Sequence, residues 1–208
     1  MKKVVIVDYG LGNIFSITQA LKVNGCTPIV SSDKNEILSA DGILLPGVGA
    51  FGDAMAKLVE LNLVETLREQ ANKGVPFLGV CLGLQLLFTT SEEFGSHKGL
   101  DLIPGTVRRF PNSYKDISLN VPFIGWNFLE KKKEDAFLEG LENKSKMFLV
   151  HSFYVEPKDA SCVLGTCSYQ GFAYPTMVRK GNIFGVQGHP EKSGPDGIKI
   201  YKNWLNIL

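Results

Sequence analysis

Three residues of this chain have the types and the settings to do nucleophilic chemistry together: Cys81, His189 and Glu191. Cys81 lies in Gly79-Val80-Cys81-Leu82-Gly83-Leu84-Gln85, preceded by the apolar run Val75-Pro76-Phe77-Leu78. That run reads as a buried strand, and Leu84, Leu86, Leu87 and Phe88 read as a helix ending near Thr89-Thr90-Ser91. A cysteine between strand and helix, with glycine two residues to either side, has the form of a nucleophile elbow carrying sulfur in place of oxygen. The glycines leave room for a tight turn, and the helix start favours thiolate over thiol. A buried cysteine packing as a small hydrophobe is the competing reading.

An ordinary thiol, with a pKa of about 8.5, is mostly protonated at neutral pH, so such a nucleophile wants a base. The chain offers His97, His151 and His189. His97 falls in the polar stretch 91–99 and reads as a solvated residue. His151 lies in Met147-Phe148-Leu149-Val150-His151-Ser152-Phe153-Tyr154; at a strand end there, a structural and a direct role are equally open. His189 follows the strand-like 183–187, with Glu191 two residues on, across Pro190. Residues i and i+2 of an extended segment point the same way, so Glu191 can turn onto the imidazole and fix its tautomer. The result is a Cys-His-Glu constellation whose base is itself oriented.

These residues need a frame, and the first two-thirds of the chain supply one by alternating strand and helix patterns. Strands are expected at 4–7, 27–30, 42–45 and 77–80. A helix carries Ile14, Ile17, Leu21 and Val23 as far as Asn24-Gly25, and a long amphipathic one carries Met55, Leu58, Val59, Leu63 and Leu67. Such βα repeats predict a parallel sheet with sites at the C-terminal strand ends. The last third reads as strands at 107–110, 123–126, 146–155, 162–168, 172–179 and 182–187. Polar loops are expected at 92–101 and 130–134, and a closing helix on Ile198, Tyr201, Trp204 and Leu205. The expected fold is α/β: an open, twisted, mostly parallel sheet flanked by helices, with additional antiparallel strands in the C-terminal third. Without a linker or repeat, residues 1–208 read as one domain.

A net charge of +1 leaves no footprint for nucleic acid or a membrane surface. No apolar run is long enough to cross a bilayer, and the N-terminal apolar stretch is too short for a signal peptide. Four cysteines without a CxxC pair or zinc spacing point to a reduced, cytoplasmic protein with no metal and no cofactor. Gly47-Val48-Gly49-Ala50-Phe51-Gly52 matches G-x-G-x-x-G, but the next strand ends at Val80-Cys81 rather than at the acidic residue a dinucleotide ribose needs. Backbone N–H groups of this turn can instead stabilise an oxyanion beside a nucleophile.

The Cys81 elbow together with Gln187-Gly188-His189-Pro190-Glu191-Lys192-Ser193 resembles the class I, triad-type glutamine amidotransferases. Asp8-Tyr9-Gly10-Leu11-Gly12-Asn13, the 46–51 turn, 122–127 and 150–154 are similar to the glutaminase subunits of imidazole glycerol phosphate synthase, over nearly the whole chain. The resemblance implies that Cys81 attacks the amide of L-glutamine to give a thioester, His189 moves the protons and Glu191 holds His189. It implies an oxyanion hole from N–H groups of Val48, Gly49 and Leu82, with rearrangement of the 46–49 turn left open. It also implies glutamine contacts from Gly47, Gly49, Gln85, Ser152 and Phe153. A synthase or cyclase subunit would complete a heterodimer and take the ammonia. Its docking face would lie near Asn13, Trp126 and Lys192, with Trp126 as core and Lys192 as a plain solvated charge the alternatives.

Gly188 stands where the family has Phe, and Phe123-Ile124 where it has His-Met, so the acceptor served stays open. An ammonia-supplying paralogue with another synthase, for example in amidino-sugar formation, remains an alternative. So does a non-catalytic binding module or a different cysteine hydrolase.

Overall fold

The computed structural model describes residues 2–208. Its first half runs β1 (Val4–Val7), α1 (Ile14–Val23), β2 (Ile29–Ser31), α2 (Lys34–Leu38), β3 (Gly42–Leu45), α3 (Phe51–Glu60), α4 (Val64–Asn72), β4 (Phe77–Val80) and α5 (Leu82–Leu86). Then come β5 (Phe88–Ser91), β6 (His97–Lys98), β7 (Ile103–Arg109), β8 (Ser113–Tyr114), β9 (Ile117–Ser118), β10 (Phe123–Phe128) and β11 (Glu130–Lys131). The chain continues through β12 (Lys146–His151), β13 (Phe153–Pro157), β14 (Val163–Tyr169), β15 (Phe172–Lys180), β16 (Ile183–Val186) and α6 (Gly194–Ile207).

The main sheet has the order β11-β14-β15-β16-β4-β3-β1-β2. From β2 to β16 every neighbouring pair is parallel; β15, β14 and β11 then extend the sheet antiparallel. β1, β3, β4 and β16 are buried along their whole length. This is why they read as unbroken apolar runs: a strand covered on both faces has no polar side to show. Within β1, Val5 and Val7 enter one core and Val4 and Ile6 the other, as the two-residue strand period requires. The first core is filled from α3 and α4 by Met55, Leu58 and Leu67. The second is filled from α1 and α6 by Ile17, Leu21, Ile200 and Trp204.

The remaining strands build a second sheet, β13-β7-β5-β6, and two antiparallel pairs, β10-β12 and β8-β9. No helix among the described residues is long and apolar enough to cross a membrane.

Several local expectations are corrected. The helix after Cys81 stops at Leu86, and Phe88–Ser91 is a strand, because the β-branched pair Thr89-Thr90 finds a partner in β7. The long helix over 55–67 is two helices, broken where Asn62 turns left-handed (φ 55°) and Leu63 N–H bonds back to Leu58. The strand expected at 146–155 divides at Ser152, β12 pairing with β10 and β13 with β7. The loop expected at 92–101 contains β6 and the buried Leu100, and that at 130–134 begins in β11. The unforeseen α2 starts where the Asp33 carboxylate accepts from the N–H groups of Asn35 and Glu36.

Candidate active site

Three neighbouring parallel strands carry the site. β3 ends at Leu45 and runs into Pro46-Gly47-Val48-Gly49; β4 ends at Val80 and gives Cys81; β16 ends at Val186 and leads to His189. Because β4 lies between β3 and β16 in register, the nucleophile stands between the turn and the histidine. Cys81 N–H donates to Val186 O at 2.8 Å, tying the elbow to the next strand.

The elbow is strained, with Cys81 at φ 57° and ψ −113°. A non-glycine residue there costs on the order of 1–3 kcal/mol and persists only where its surroundings dictate it. The surroundings are the flanking glycines: a Cβ on Gly83 would lie 1.9 Å from Leu45 O, and one on Gly79 2.6 Å from Gly83 O. Only glycine lets the turn sit this close to β3.

His189 is fixed at both ends of its backbone. Its N–H donates to Phe148 O at 2.9 Å, and its carbonyl accepts from the Ser193 hydroxyl at 2.7 Å. Its Nδ1 meets Glu191 Oε1 at 2.9 Å, which leaves Nε2 for the sulfur of Cys81, a member of the same cleft lining. Glu191 reaches it from the short 3-10 turn Pro190–Lys192 rather than from an extended segment. Burial opposes charge on His189, but the hydrogen bonds and negative charge of Cys81 and Glu191 outweigh it and raise its pKa. Beside His189, the main chain of β12 (Phe148 O) lies 3.2 Å from where a Cβ on Gly188 would stand, so β12 already fills the side of the base that this residue leaves open.

His151 is not placed as the base. Its Nδ1 bonds to Phe153 O at 2.8 Å and its buried Nε2 has no partner among the described residues. Burial first, and then the charge of His189, lower its pKa to about 4 against the opposing bond to Phe153. His97, read as solvated, is half-buried; its ring packs over Gly52 and lies 6.5 Å from that of Phe51.

Cys81 and His189 open into a cleft of about 270 Å³. Val48, Gly49 and Leu82 line one side and Gln85, Ser152 and Phe153 another, with Pro122, Val150 and His151 also present. The N–H groups of Val48 and Gly49 have no acceptor among the described residues, and Gly49 takes φ 101°, where a side chain would be strained. Gln85 spends its amide nitrogen on Phe153 O and Gln187 Oε1, both at 3.1 Å, so its own Oε1 is left for a ligand. Gly47 lies outside the lining: a Cβ there would stand 2.7 Å from the Tyr9 hydroxyl and 2.9 Å from Gly83 N.

Four residues escaped the sequence reading. Tyr9 donates to Pro46 O at 2.7 Å and so pins the start of the 46–49 turn; burial, then the charge of Cys81, raise its pKa. Gln187 holds Gln85. Glu93, in the stretch taken for an exposed loop, lines the cleft and accepts from Phe51 N–H at 2.6 Å. Burial raises its pKa, against the bond to Phe51 and the charge of His97, with Asp53 adding to the rise. Tyr201 donates to Glu191 Oε2 at 3.0 Å. The Asp8-Tyr9 strand end was a usable signal; the other three depend on contacts distant in sequence.

Of the docking candidates, Asn13 is half-buried at the start of α1, Lys192 is exposed, and the 3-10 turn bearing Lys192 packs on α1. Trp126 is 54% exposed, so it is not core. Ile124 and Phe128 share its outward face of β10, and Ile124 pairs with Val150 at the cleft. The stripe is continuous with the mouth of the site.

The glutamine amidotransferase class-I family matches residues 5–207. Imidazole glycerol phosphate synthase subunit HisH of Moorella thermoacetica is 46% identical over 208 residues, covering all of this chain and 96% of that protein. The protein of the same name from Methanosarcina barkeri is 46% identical over 208 residues, covering all of both chains. Among solved structures, PurLQS from Thermotoga maritima superposes with a TM-score of 0.75 at 22% identity, covering all of both chains. It shares the fold.

Proposed function

Since the chain belongs to the class-I glutamine amidotransferase family, we propose that it hydrolyses L-glutamine to glutamate and ammonia with Cys81, His189 and Glu191. The observation that carries this reading is their arrangement on the ends of β4 and β16, beside unpaired N–H groups on the turn after β3.

The steps follow from the geometry. The Cys81 proton passes to His189 Nε2 as the sulfur attacks the side-chain amide carbon of glutamine. The developing oxyanion is met by N–H groups of Val48, Gly49 and Leu82, the 48–49 peptide turning as needed about Gly49. His189 gives its proton to the departing nitrogen, which leaves as ammonia, and a γ-glutamyl thioester remains on Cys81. Water then gives a proton to His189 and attacks the thioester, and His189 returns the proton to the sulfur as glutamate leaves. Glu191 keeps Nδ1 protonated throughout, so that Nε2 alone takes up and gives back the proton. Gln85 Oε1, Ser152 and Phe153 hold the substrate. Glu93, the one carboxylate of the cleft lining among the described residues, takes its α-ammonium group.

The chain acts as one amidotransferase domain in the cytoplasm and passes its ammonia to a synthase subunit that forms imidazole glycerol phosphate in histidine biosynthesis. Full-length identity near one-half to subunits of that name supports this acceptor over other synthases. The apolar stripe Ile124, Trp126 and Phe128, with Asn13 and Lys192, supplies the docking face. Ammonia set free in water would be protonated and lost as a nucleophile, so release at a covered mouth suits the chemistry. Glutamine turnover measured with and without an imidazole glycerol phosphate type cyclase tests the proposal. Slow turnover alone and acceleration in the complex are expected; full activity alone, or no complex, refutes the assignment of the acceptor.

A further inference from the structure

Glu191 uses only one of its two carboxylate oxygens on the base. Oε1 meets His189 Nδ1 at 2.9 Å, and Oε2 accepts from the phenol of Tyr201 at 3.0 Å. Neither group touches water: the Glu191 side chain and Tyr201 are both fully buried. We propose that Tyr201 is a positioning residue of this site, its phenol fixing the Glu191 carboxylate so that the carboxylate can fix His189. The inference rests on the Cys81–His189–Glu191 reading and extends it by one residue.

A carboxylate turns easily about its last bond, because that torsion is broad and shallow. One hydrogen bond to a histidine leaves the plane free to swing; a second, on the other oxygen, sets it. In a dry site no solvent can replace that second donor, and Oε2 has no other among the described residues. The helix that brings the phenol is itself held. Asn203 of α6 donates to Phe137 O at 3.1 Å and Glu139 O at 2.8 Å, and Asn24 donates to Ile198 O at 3.2 Å.

A tyrosine that served only to fill the core would be matched in volume by phenylalanine, without a hydroxyl that must find a partner. Here the partner is the carboxylate behind the base. Burial, followed by the adjacent charge of Glu191, drives the ionisation of Tyr201 far upward, so it remains a donor wherever the site works.

The test compares wild type, Tyr201→Phe, Glu191→Gln and the double variant in complex with the synthase subunit. It reads glutamine turnover and, with no glutamine present, the rate of Cys81 alkylation by iodoacetamide. Tyr201→Phe is expected to lower kcat about tenfold, the worth of one hydrogen bond to a charged group, with KM for glutamine little changed and alkylation slowed. In the Glu191→Gln background the same change should lower kcat by less than about twofold, because the carboxylate through which Tyr201 acts is gone. An unchanged kcat and alkylation rate in Tyr201→Phe would overturn the proposal, whatever happens to the melting temperature. So would a full tenfold loss that persists beside Glu191→Gln. If Tyr201→Phe fails to fold while the double variant folds, the phenol acts through the buried charge, as proposed; failure of both marks it as packing alone. A wild type that leaves glutamine untouched removes the glutaminase reading, and the alkylation rates then decide on Tyr201 by themselves.

Discussion

Acid should destabilise this protein first through His151, and by an amount the structure sets. A carbonyl can only accept, so the bond to Phe153 O assigns the proton of the neutral ring to Nδ1 and leaves Nε2 bare. Charging the ring would put a second N–H on Nε2, a buried position with no acceptor among the described residues. The folded protein therefore holds off protonation until about pH 4, whereas the unfolded chain accepts the proton near 6.5. Between those values the unfolded state binds more protons, so stability is complete above 6.5 and falls as the pH drops toward 4. Linkage gives a loss of about 2 kcal/mol at pH 5 and about 3 kcal/mol at pH 4. Against a total stability of about 5–15 kcal/mol this is a large share. Urea unfolding of wild type and His151→Gln at pH 7 and pH 5 measures it. The glutamine amide can keep the bond to Phe153 O but does not titrate. The wild-type midpoint should fall by about 1 M more than that of the variant, for a slope near 2 kcal/mol/M. Glu93 shifts in the opposite sense over this interval, but it is present in both proteins and cancels. Equal acid sensitivity in the two would refute the account of His151 as a buried neutral residue.

Cys81→Ser should abolish glutamine hydrolysis with an unchanged unfolding curve, and a glutamine-derived electrophile should label Cys81 while sparing Cys26, Cys162 and Cys167, as peptide mapping would show. His189→Ala should lower kcat by about 10²–10⁴-fold, the usual worth of a general base, and Glu191→Gln by less; near-normal turnover in His189→Ala would mean that another group is the base. Glu93→Gln should raise KM for glutamine more than it lowers kcat, since the charge is assigned to the substrate's ammonium; steady-state kinetics with unchanged KM would contradict that role. Ile124→Asp or Trp126→Ala should weaken the complex with the synthase, and titration calorimetry giving wild-type affinity for both would remove the β10 stripe from the interface.

What could be read from the sequence was what is local. The elbow is legible because Gly79 and Gly83 flank Cys81 in the spelling itself, although the contact that requires Gly83 is with Leu45 O of β3, and the buried strands are legible because both faces of β1, β3, β4 and β16 are covered. His189 was found by its neighbour Glu191 and by the scarcity of histidines, although the reach of Glu191 depends on a 3-10 turn and not on the strand geometry supposed. What stayed hidden depends on pairing at a distance. Phe88–Ser91 reads as helix until β7 arrives beside it. Ser152 marks no break until β10 and β7 claim the chain on either side. Glu93 looks like loop charge until Phe51 N–H takes it, and nothing in the spelling of α6 separates the phenol of Tyr201 from a core aromatic.

The frame and the turn of this site should live on different clocks. β4 lies near the middle of an eight-stranded sheet, and Cys81 N–H is tied to the neighbouring strand. Its amides and those of β16 can meet solvent deuterium only when the whole sheet opens, so their exchange reports global unfolding. The Val48 and Gly49 amides have no acceptor among the described residues and exchange at the pace of a local twist. Mild heating or denaturant therefore has no partly melted triad to produce: the spacing between sulfur and imidazole survives until the molecule as a whole gives way. The part that can be tuned by a bound neighbour is confined to a few peptide units after β3.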